Sequence, residues 1–113
     1  MEKVAKYTSI VKELLQYVGF LGKRPNDPIK TQVIEDDLKG HYLLFSNGWR
    51  GEKRTYGCYL HLDITPDGKV WLQHDGTDLE IALMLIERGV DKQDIVLGFQ
   101  PPIVRPDTGF AVA

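Results

Sequence analysis

The stretch from His41 to Gly76 constrains the fold of this chain more than any other part of it. It reads HYLLFSNGWRGEKRTYGCYLHLDITPDGKVWLQHDG, which is three runs of strand-forming residues separated by two turn signals. Branched and aromatic residues favour strands, and Gly, Pro and Asp end them. Segments with helical spacing lie before and after this stretch. The sequence therefore predicts the α+β class, with a small antiparallel sheet that is a meander of about four strands.

The second turn signal, Thr65-Pro66-Asp67-Gly68, determines the register of the last hairpin. Pro suits the position that needs φ near −65°, and Gly suits a left-handed residue. A three-residue loop would pair Thr65 with Lys69. Counting back from that pair gives three opposed pairs, Ile64–Val70, Leu62–Leu72 and Leu60–His74. Because side chains alternate between faces, one face is predicted to be core, and it carries Leu60, Leu62, Ile64, Val70 and Leu72. The other face is predicted to carry Tyr59, His61, Asp63, Trp71, Gln73 and Asp75.

The first turn signal, Trp49-Arg50-Gly51-Glu52, leaves the register of the preceding hairpin open. Both a loop of Arg50-Gly51 and a loop of Arg50-Gly51-Glu52 fit the sequence, and they differ by one residue. A slip of one residue exchanges the two faces of a strand. Either Leu43 and Phe45 or Tyr42 and Leu44 therefore face the core.

Helices and loops are predicted on both sides of this sheet. Apolar residues three and four positions apart predict an N-terminal helix, and the pattern from Thr77 to Glu80 is a capping box that starts a second helix at Thr77. Prolines and glycines make the connector after the first helix and the C-terminal tail irregular. A single domain over residues 1–113 is predicted, in the order helix about 3–20, linker 22–28, sheet about 30–75, helix about 77–88 and extended tail 95–113.

The charge and the cysteine content restrict the function. A formal net charge of −2 argues against a protein that coats DNA, which would carry a basic surplus. A DNA-binding regulator that uses a local basic set remains an alternative, with Lys23, Arg24, Arg50, Lys53 and Arg54. The single cysteine, Cys58, excludes an internal disulfide, fits a reducing cytoplasm, and alternates with Leu60 as a small core residue. No membrane-spanning run is expected.

Histidine and aspartate residues in the last hairpin are the best candidates for catalysis. A set of His61, Asp63, His74 and Asp75 would suit a metal-dependent phosphodiester hydrolase. The predicted register, however, directs His61 and His74 to opposite faces of the sheet. We therefore expect no catalytic, metal or cofactor-binding residues, and we keep the hydrolase as an alternative.

Large aromatic residues on the polar face favour a protein contact instead. If both helices cover the core face, Trp71 and Tyr59 are left exposed, and exposed aromatic patches are typical of interfaces. The tail also carries apolar residues that suggest docking. The predicted partner interface consists of Tyr59, His61, Trp71, Gln73, Ile103 and Phe110. The alternative is that the N-terminal helix covers this face and makes it core.

The chain resembles the XisI family, the cyanobacterial fdxN element excision controlling factors. The resemblance extends from the N-terminal helix to the tail. It is carried by Gly48-Trp49, Tyr56-Gly57-Cys58, His61-Leu62-Asp63-Ile64, Gly68-Lys69-Val70-Trp71, Gln73-His74-Asp75-Gly76-Thr77 and Asp94-Ile95-Val96-Leu97-Gly98-Phe99.

The resemblance implies a compact α+β unit without assigned catalytic residues. It also implies a role in the regulated excision of a DNA element in heterocyst-forming cyanobacteria, together with a site-specific recombinase and a companion protein, XisH. We accordingly expect a cytoplasmic, non-enzymatic accessory factor without a cofactor. Its expected partner is an XisH-like companion, a further copy of the chain, or both, and direct contact with DNA is left open.

Overall fold

The computed structural model describes residues 2–113. The α+β class is confirmed, with two helices and one five-stranded sheet. The elements are α1 (Glu2–Leu21), β1 (Ile29–Asp36), β2 (His41–Arg50), β3 (Lys53–Ile64), β4 (Val70–Asp75), α2 (Ile81–Glu87) and β5 (Ile95–Leu97). Short 3₁₀ helices lie at Lys92–Asp94 and Arg105–Asp107.

The sheet has the order β1-β2-β3-β4-β5. The first four strands form the expected antiparallel meander, and β5 is added parallel to β4. The sheet therefore has one strand more than the predicted number of about four. It is mixed, whereas a purely antiparallel sheet was predicted. A parallel neighbour needs a crossover connection, and α2 provides it here.

Both helices lie on the same face of the sheet and enclose the core with it. The apolar stripe of α1 is buried, as expected, and α1 packs across β1, β2 and β3. The predicted core residues of the last hairpin are confirmed as buried. The sheet contributes these fully or almost fully buried side chains to the core: Tyr42, Leu44, Leu60, Leu62, Ile64, Val70, Leu72 and Ile95. Neither helix covers the opposite face.

The structure resolves the two turns. The second turn is the predicted three-residue loop, since the Thr65 N–H donates to the Lys69 carbonyl at 3.0 Å and Gly68 has φ +84°. At the first turn, Arg50 pairs with Lys53, so the loop is Gly51-Glu52, which is neither of the two loops considered. Gly51 has φ +64°, and a type II′ turn requires Gly at that first loop position. Tyr42 and Leu44 consequently face the core.

Two bulges in β3 and β4 change the register that alternation alone predicts. Leu44 pairs with Leu60 but Phe45 pairs with Cys58, which leaves Tyr59 as an extra residue. Cys58 therefore lies on the face away from the helices, and its placement in the core was wrong. In the last hairpin, Leu62 pairs with Leu72 but His61 pairs with His74, which leaves Gln73 extra. Leu60 consequently pairs with Asp75, so the predicted Leu60–His74 pair was wrong. The expectation that His61 and His74 point to opposite faces was also wrong, because the two are paired across the ladder. A bulge adds one residue to only one strand of a pair, and the order of apolar and polar residues along that strand does not reveal it.

The segments after the sheet are shorter and more structured than expected. The α2 helix begins at Ile81, four residues after the predicted start, and Glu80 rather than Thr77 is its N-cap. The Thr77 hydroxyl instead accepts from the Leu79 N–H at 3.1 Å, which makes a local turn before the helix. The tail is not simply extended, because it contains β5 and a 3₁₀ helix, and its Ala111 bridges to Val96. Neither helix within residues 2–113 is long and apolar enough to cross a membrane.

Candidate functional site on the open face of the sheet

The face of the sheet that no helix covers is called the open face. Cross-strand pairing assigns its members, because paired residues point to the same side of a sheet. Its central residues are Ile34, His41, Leu43, Phe45, Trp49, Arg54, Tyr56, Cys58, His61, Asp63 and Trp71. The bulge residue Gln73 joins them, because its amide reaches Asp63. Three of its large hydrophobic side chains are exposed to solvent: Ile34, Trp49 and Tyr56. Exposed apolar side chains that lie together on one sheet face are typical of a contact surface.

One end of the open face carries an ordered group that we call the aromatic cluster, formed by Phe45, Trp49, Arg54 and Tyr56. The Arg54 guanidinium lies 5.5 Å from the centroid of the Trp49 ring and 5.2 Å from that of Tyr56. The rings of Phe45 and Tyr56 meet edge to face at 5.6 Å. Such contacts hold large side chains in place before a partner arrives, which lowers the entropy that binding would cost.

The sequence did not identify the aromatic cluster. The bulge at Tyr59 reverses the facing of every β3 residue that precedes it, so Tyr56 could not be assigned correctly from alternation. A signal was nevertheless present in β2. Its run Tyr42-Leu43-Leu44-Phe45 is apolar on both faces, which indicates that an apolar set faces away from the core.

Three of the six predicted interface residues lie on the open face, namely His61, Trp71 and Gln73. Tyr59, the bulge residue, instead packs on the helix side against the core. There it lines a groove of about 570 Å³ that Val18 and Leu79 also line. Tyr59 and Trp71 therefore do not form one patch.

The two tail residues of the predicted interface have different surroundings. Phe110 packs against the core, and the ammonium of Lys92 lies 5.1 Å from the centroid of its ring. Ile103 is 84% exposed. The tail also covers part of the open face, because the Arg105 guanidinium lies 5.1 Å from the centroid of the Trp71 ring. The part of the open face that the tail leaves free lies over β1, β2 and β3.

A second group on the open face consists of His41, His61 and Asp63. His41 on β2 is directly opposite Asp63 on β3, and His61 precedes Asp63 by two residues and so shares its face. Asp63 Oδ1 lies 2.7 Å from His41 Nδ1 and 2.8 Å from His61 Nε2. Gln73 Nε2 donates to the other carboxylate oxygen, Oδ2, at 3.1 Å. Burial raises the pKa of Asp63, but the hydrogen bonds from His41, His61 and Gln73 outweigh it and hold that pKa below its usual value.

The structure therefore brings together only part of the predicted catalytic set. His61 and Asp63 meet, but the third member of their group is His41, which the sequence did not single out. His74 lies outside the group and is exposed. Asp75 is engaged elsewhere, since its Oδ1 accepts from the Thr77 hydroxyl at 2.6 Å and from the Thr77 N–H at 2.9 Å.

The basic residues of the DNA-binding alternative are divided between two sides of the molecule. Lys23 and Arg24 lie in the loop after α1, and Arg50 is hydrogen-bonded to Asp27 of that loop at 3.1 Å. Arg54, by contrast, belongs to the aromatic cluster on the open face. The five predicted residues do not form one continuous basic surface.

Comparison with known proteins gives one family and two similar structures. The family model described as XisI protein matches residues 1–112. A XisI-like protein from Anabaena variabilis is 40% identical, with a TM-score of 0.90 over 97% of this chain and 99% of the other. The fdxN element excision controlling factor XisI from Anabaena variabilis is 32% identical, with a TM-score of 0.85 over 98% of this chain and 99% of the other. No match is found among curated proteins.

Proposed function

The chain belongs to the XisI family, and from this membership we propose that it is a non-enzymatic accessory factor in the control of DNA-element excision. The proposed mode of action is the binding of another protein through the open face. The process is suggested by the name of one relative, the fdxN element excision controlling factor. The mode of action is suggested by the surface of this chain.

One observation carries the proposal: the open face combines exposed apolar area with side chains that are already ordered. Trp49 and Tyr56 are 55% and 64% exposed, although each contributes a large ring. Tyr, Trp and Arg are the residue types that most often dominate binding energy at protein interfaces. Arg54 joins Trp49 and Tyr56 in a single group, so the aromatic cluster contains all three types in contact.

The composition of the surroundings favours a protein partner over a nucleic acid. Asp36 and Asp63 lie on the same face, so Arg54 is not part of a basic stripe that could follow a phosphate backbone. The proposed partner is the XisH-like companion protein or a second copy of this chain. Both would use the same apolar centre with a polar rim, which is the usual organisation of a protein interface.

The test replaces the two exposed aromatic residues together, as Trp49→Ser with Tyr56→Ser. Because an aromatic residue at the centre of an interface typically contributes about 2 kcal/mol or more, affinity should fall at least about thirtyfold. Affinity for an XisH-like protein is measured by isothermal titration calorimetry, and self-association is measured by sedimentation.

The matched control replaces two exposed apolar residues on the helices, as Phe20→Ser with Leu83→Ser. This control should bind like the wild-type protein. Equal loss in the two double variants, or unchanged binding in Trp49→Ser with Tyr56→Ser, would contradict the assignment of the open face. Melting curves establish that each variant is folded.

A further inference from the structure

The group of His41, His61 and Asp63 has the composition and proximity of a metal-binding site. One ligand atom from each residue lies within 4.8 Å of the other two. Two imidazole nitrogens and a carboxylate oxygen are a common set of protein ligands for zinc and related divalent ions. We propose that these three residues bind one divalent transition-metal ion of the zinc type on the open face. This inference does not depend on the proposed protein contact.

The sheet holds the three ligands in place. His41 and Asp63 are paired across β2 and β3, and His61 follows from the two-residue repeat of β3. Ligands on paired strands keep their spacing better than ligands on loops. The His41 and His61 rings are 6.3 Å apart and inclined at 74°, so their facing nitrogens converge on Asp63 from different directions.

A fourth residue orients the carboxylate. Gln73 holds Oδ2 of Asp63 through its amide, which leaves Oδ1 directed at the two imidazoles. Gly98 lies against the Gln73 side chain so closely that a Cβ there would be 2.4 Å from Gln73 Oε1. Hydrogen bonds that fix a ligating carboxylate in this way typically change metal affinity by about 10- to 100-fold.

Coordination of an ion would change the spacing of the three ligand atoms. The ligand atoms of a tetrahedral zinc ion, with bonds of about 2.0–2.1 Å, are roughly 3.3 Å apart. The two contacts to Asp63 Oδ1 are 2.7 and 2.8 Å, so an ion would lengthen each by about half an ångström. The two imidazole nitrogens, which lie within 4.8 Å of one another, would adopt the same spacing. The His41 side chain, which is 50% exposed, has room to make that movement.

The exposure of His41 also determines what else the ion would bind. Three protein ligands leave at least one coordination position free on a tetrahedral ion. That position would face solvent at the surface of the sheet, so water or a side chain of a partner protein could occupy it.

The experiment titrates Zn²⁺ into the protein without a polyhistidine tag and measures binding by calorimetry, with Co²⁺ absorption as a second readout. One ion per chain is expected, with a visible Co²⁺ spectrum of a site that contains nitrogen ligands. His41→Ala and His61→Ala each remove a ligand, so each should weaken binding by more than the roughly 10- to 100-fold that loss of an orienting residue causes. Gln73→Leu should weaken binding within that range.

His74→Ala is the matched control, because His74 is the remaining histidine and lies outside the group. It should bind Zn²⁺ like the wild-type protein. Failure of the wild-type protein to bind Zn²⁺ at micromolar concentration would overturn the proposal, as would equal effects of His74→Ala and His41→Ala. Circular dichroism of the metal-free variants verifies their fold. Metal binding is measured on the chain alone, so its loss is recorded independently of partner binding.

Discussion

Two adjacent leucines in β2 provide a direct test of the two faces of the sheet. Leu44 is fully buried between the sheet and α1, whereas Leu43 points to the open face. The two residues have the same chemistry and lie on the same strand. The substitutions Leu44→Ala and Leu43→Ala therefore differ only in the face that they affect.

The expected magnitude follows from the surroundings of Leu44. Val33 and Leu60 are its partners on the two neighbouring strands, and α1 covers it at Gly19. Replacement by Ala removes three carbon atoms, which at about 0.8 kcal/mol for each buried methylene group is about 2.4 kcal/mol. The cavity left behind adds to this loss, so about 2–5 kcal/mol is expected. For 113 residues, each kcal/mol corresponds to about 4 °C in Tm.

Urea denaturation followed by circular dichroism measures both variants at low protein concentration. Leu44→Ala should lower the free energy of unfolding by the amount given above, with an unchanged m-value. Leu43→Ala should cost about 1 kcal/mol or less, because the side chain remains partly in contact with water. Equal losses, or a larger loss for Leu43→Ala, would show that the assignment of faces in β2 is reversed.

Three further outcomes follow from individual contacts. Burial raises the pKa of Asp94, but hydrogen bonds from Tyr7 and Lys3 outweigh it and lower that pKa, so its stabilising effect is present above about pH 4 and is lost as pH falls further. The difference in unfolding free energy between the wild-type protein and Asp94→Asn should therefore shrink as pH falls below about 4. A difference that stays constant over this pH range would contradict the lowered pKa of Asp94. Burial and the hydrogen bond to Asp37 raise the pKa of Tyr42 from 10.0 to about 12, so the wild-type protein should lose stability relative to Tyr42→Phe as pH rises from 10 towards 12. Tyrosinate absorbance should show a midpoint near the higher value for Tyr42, and a midpoint near 10 would be inconsistent with its burial. Gly48→Ala should destabilise the protein by about 1–3 kcal/mol, because the new Cβ would lie 2.3 Å from the Pro28 carbonyl oxygen. Gly57→Ala, where a Cβ would meet nothing within 4 Å, is its control, and similar losses in urea denaturation would be evidence against the close approach at Gly48.

Sequence reasoning succeeded where a feature depends on neighbouring residues. The Pro66–Gly68 loop, the buried stripe of α1 and the core face of the last hairpin are all encoded in short patterns of residue types. The glycine stop after α2 is also local, since Gly89 has φ +112° and follows the last turn directly. These features need no knowledge of distant parts of the chain.

Features that depend on distant pairing were not accessible in this way. The extra residues Tyr59 and Gln73 are accommodated as bulges because of what lies across the ladder, and strict alternation from the nearest turn cannot show them. The same error placed Cys58 in the core. His41 joins His61 and Asp63 only because β2 and β3 pair in this register, twenty residues apart in the chain. The pairing of β5 with β4 likewise depends on the connection through α2, which brings together segments that are distant in the chain.

Chemical labelling of Cys58 tests the central proposal, that the open face binds a partner protein, most directly. Cys58 is the only cysteine and lies on the open face, half buried beside Phe45. Burial raises the pKa of its thiol, so labelling is performed at mildly alkaline pH. The control is a Cys58→Ser protein that carries Glu13→Cys on the exposed side of α1. With a saturating XisH-like partner, or at the concentration where the chain self-associates, labelling of Cys58 should slow strongly while the control site reacts as before. An intact complex in which Cys58 reacts at the rate of the free protein would contradict the proposal.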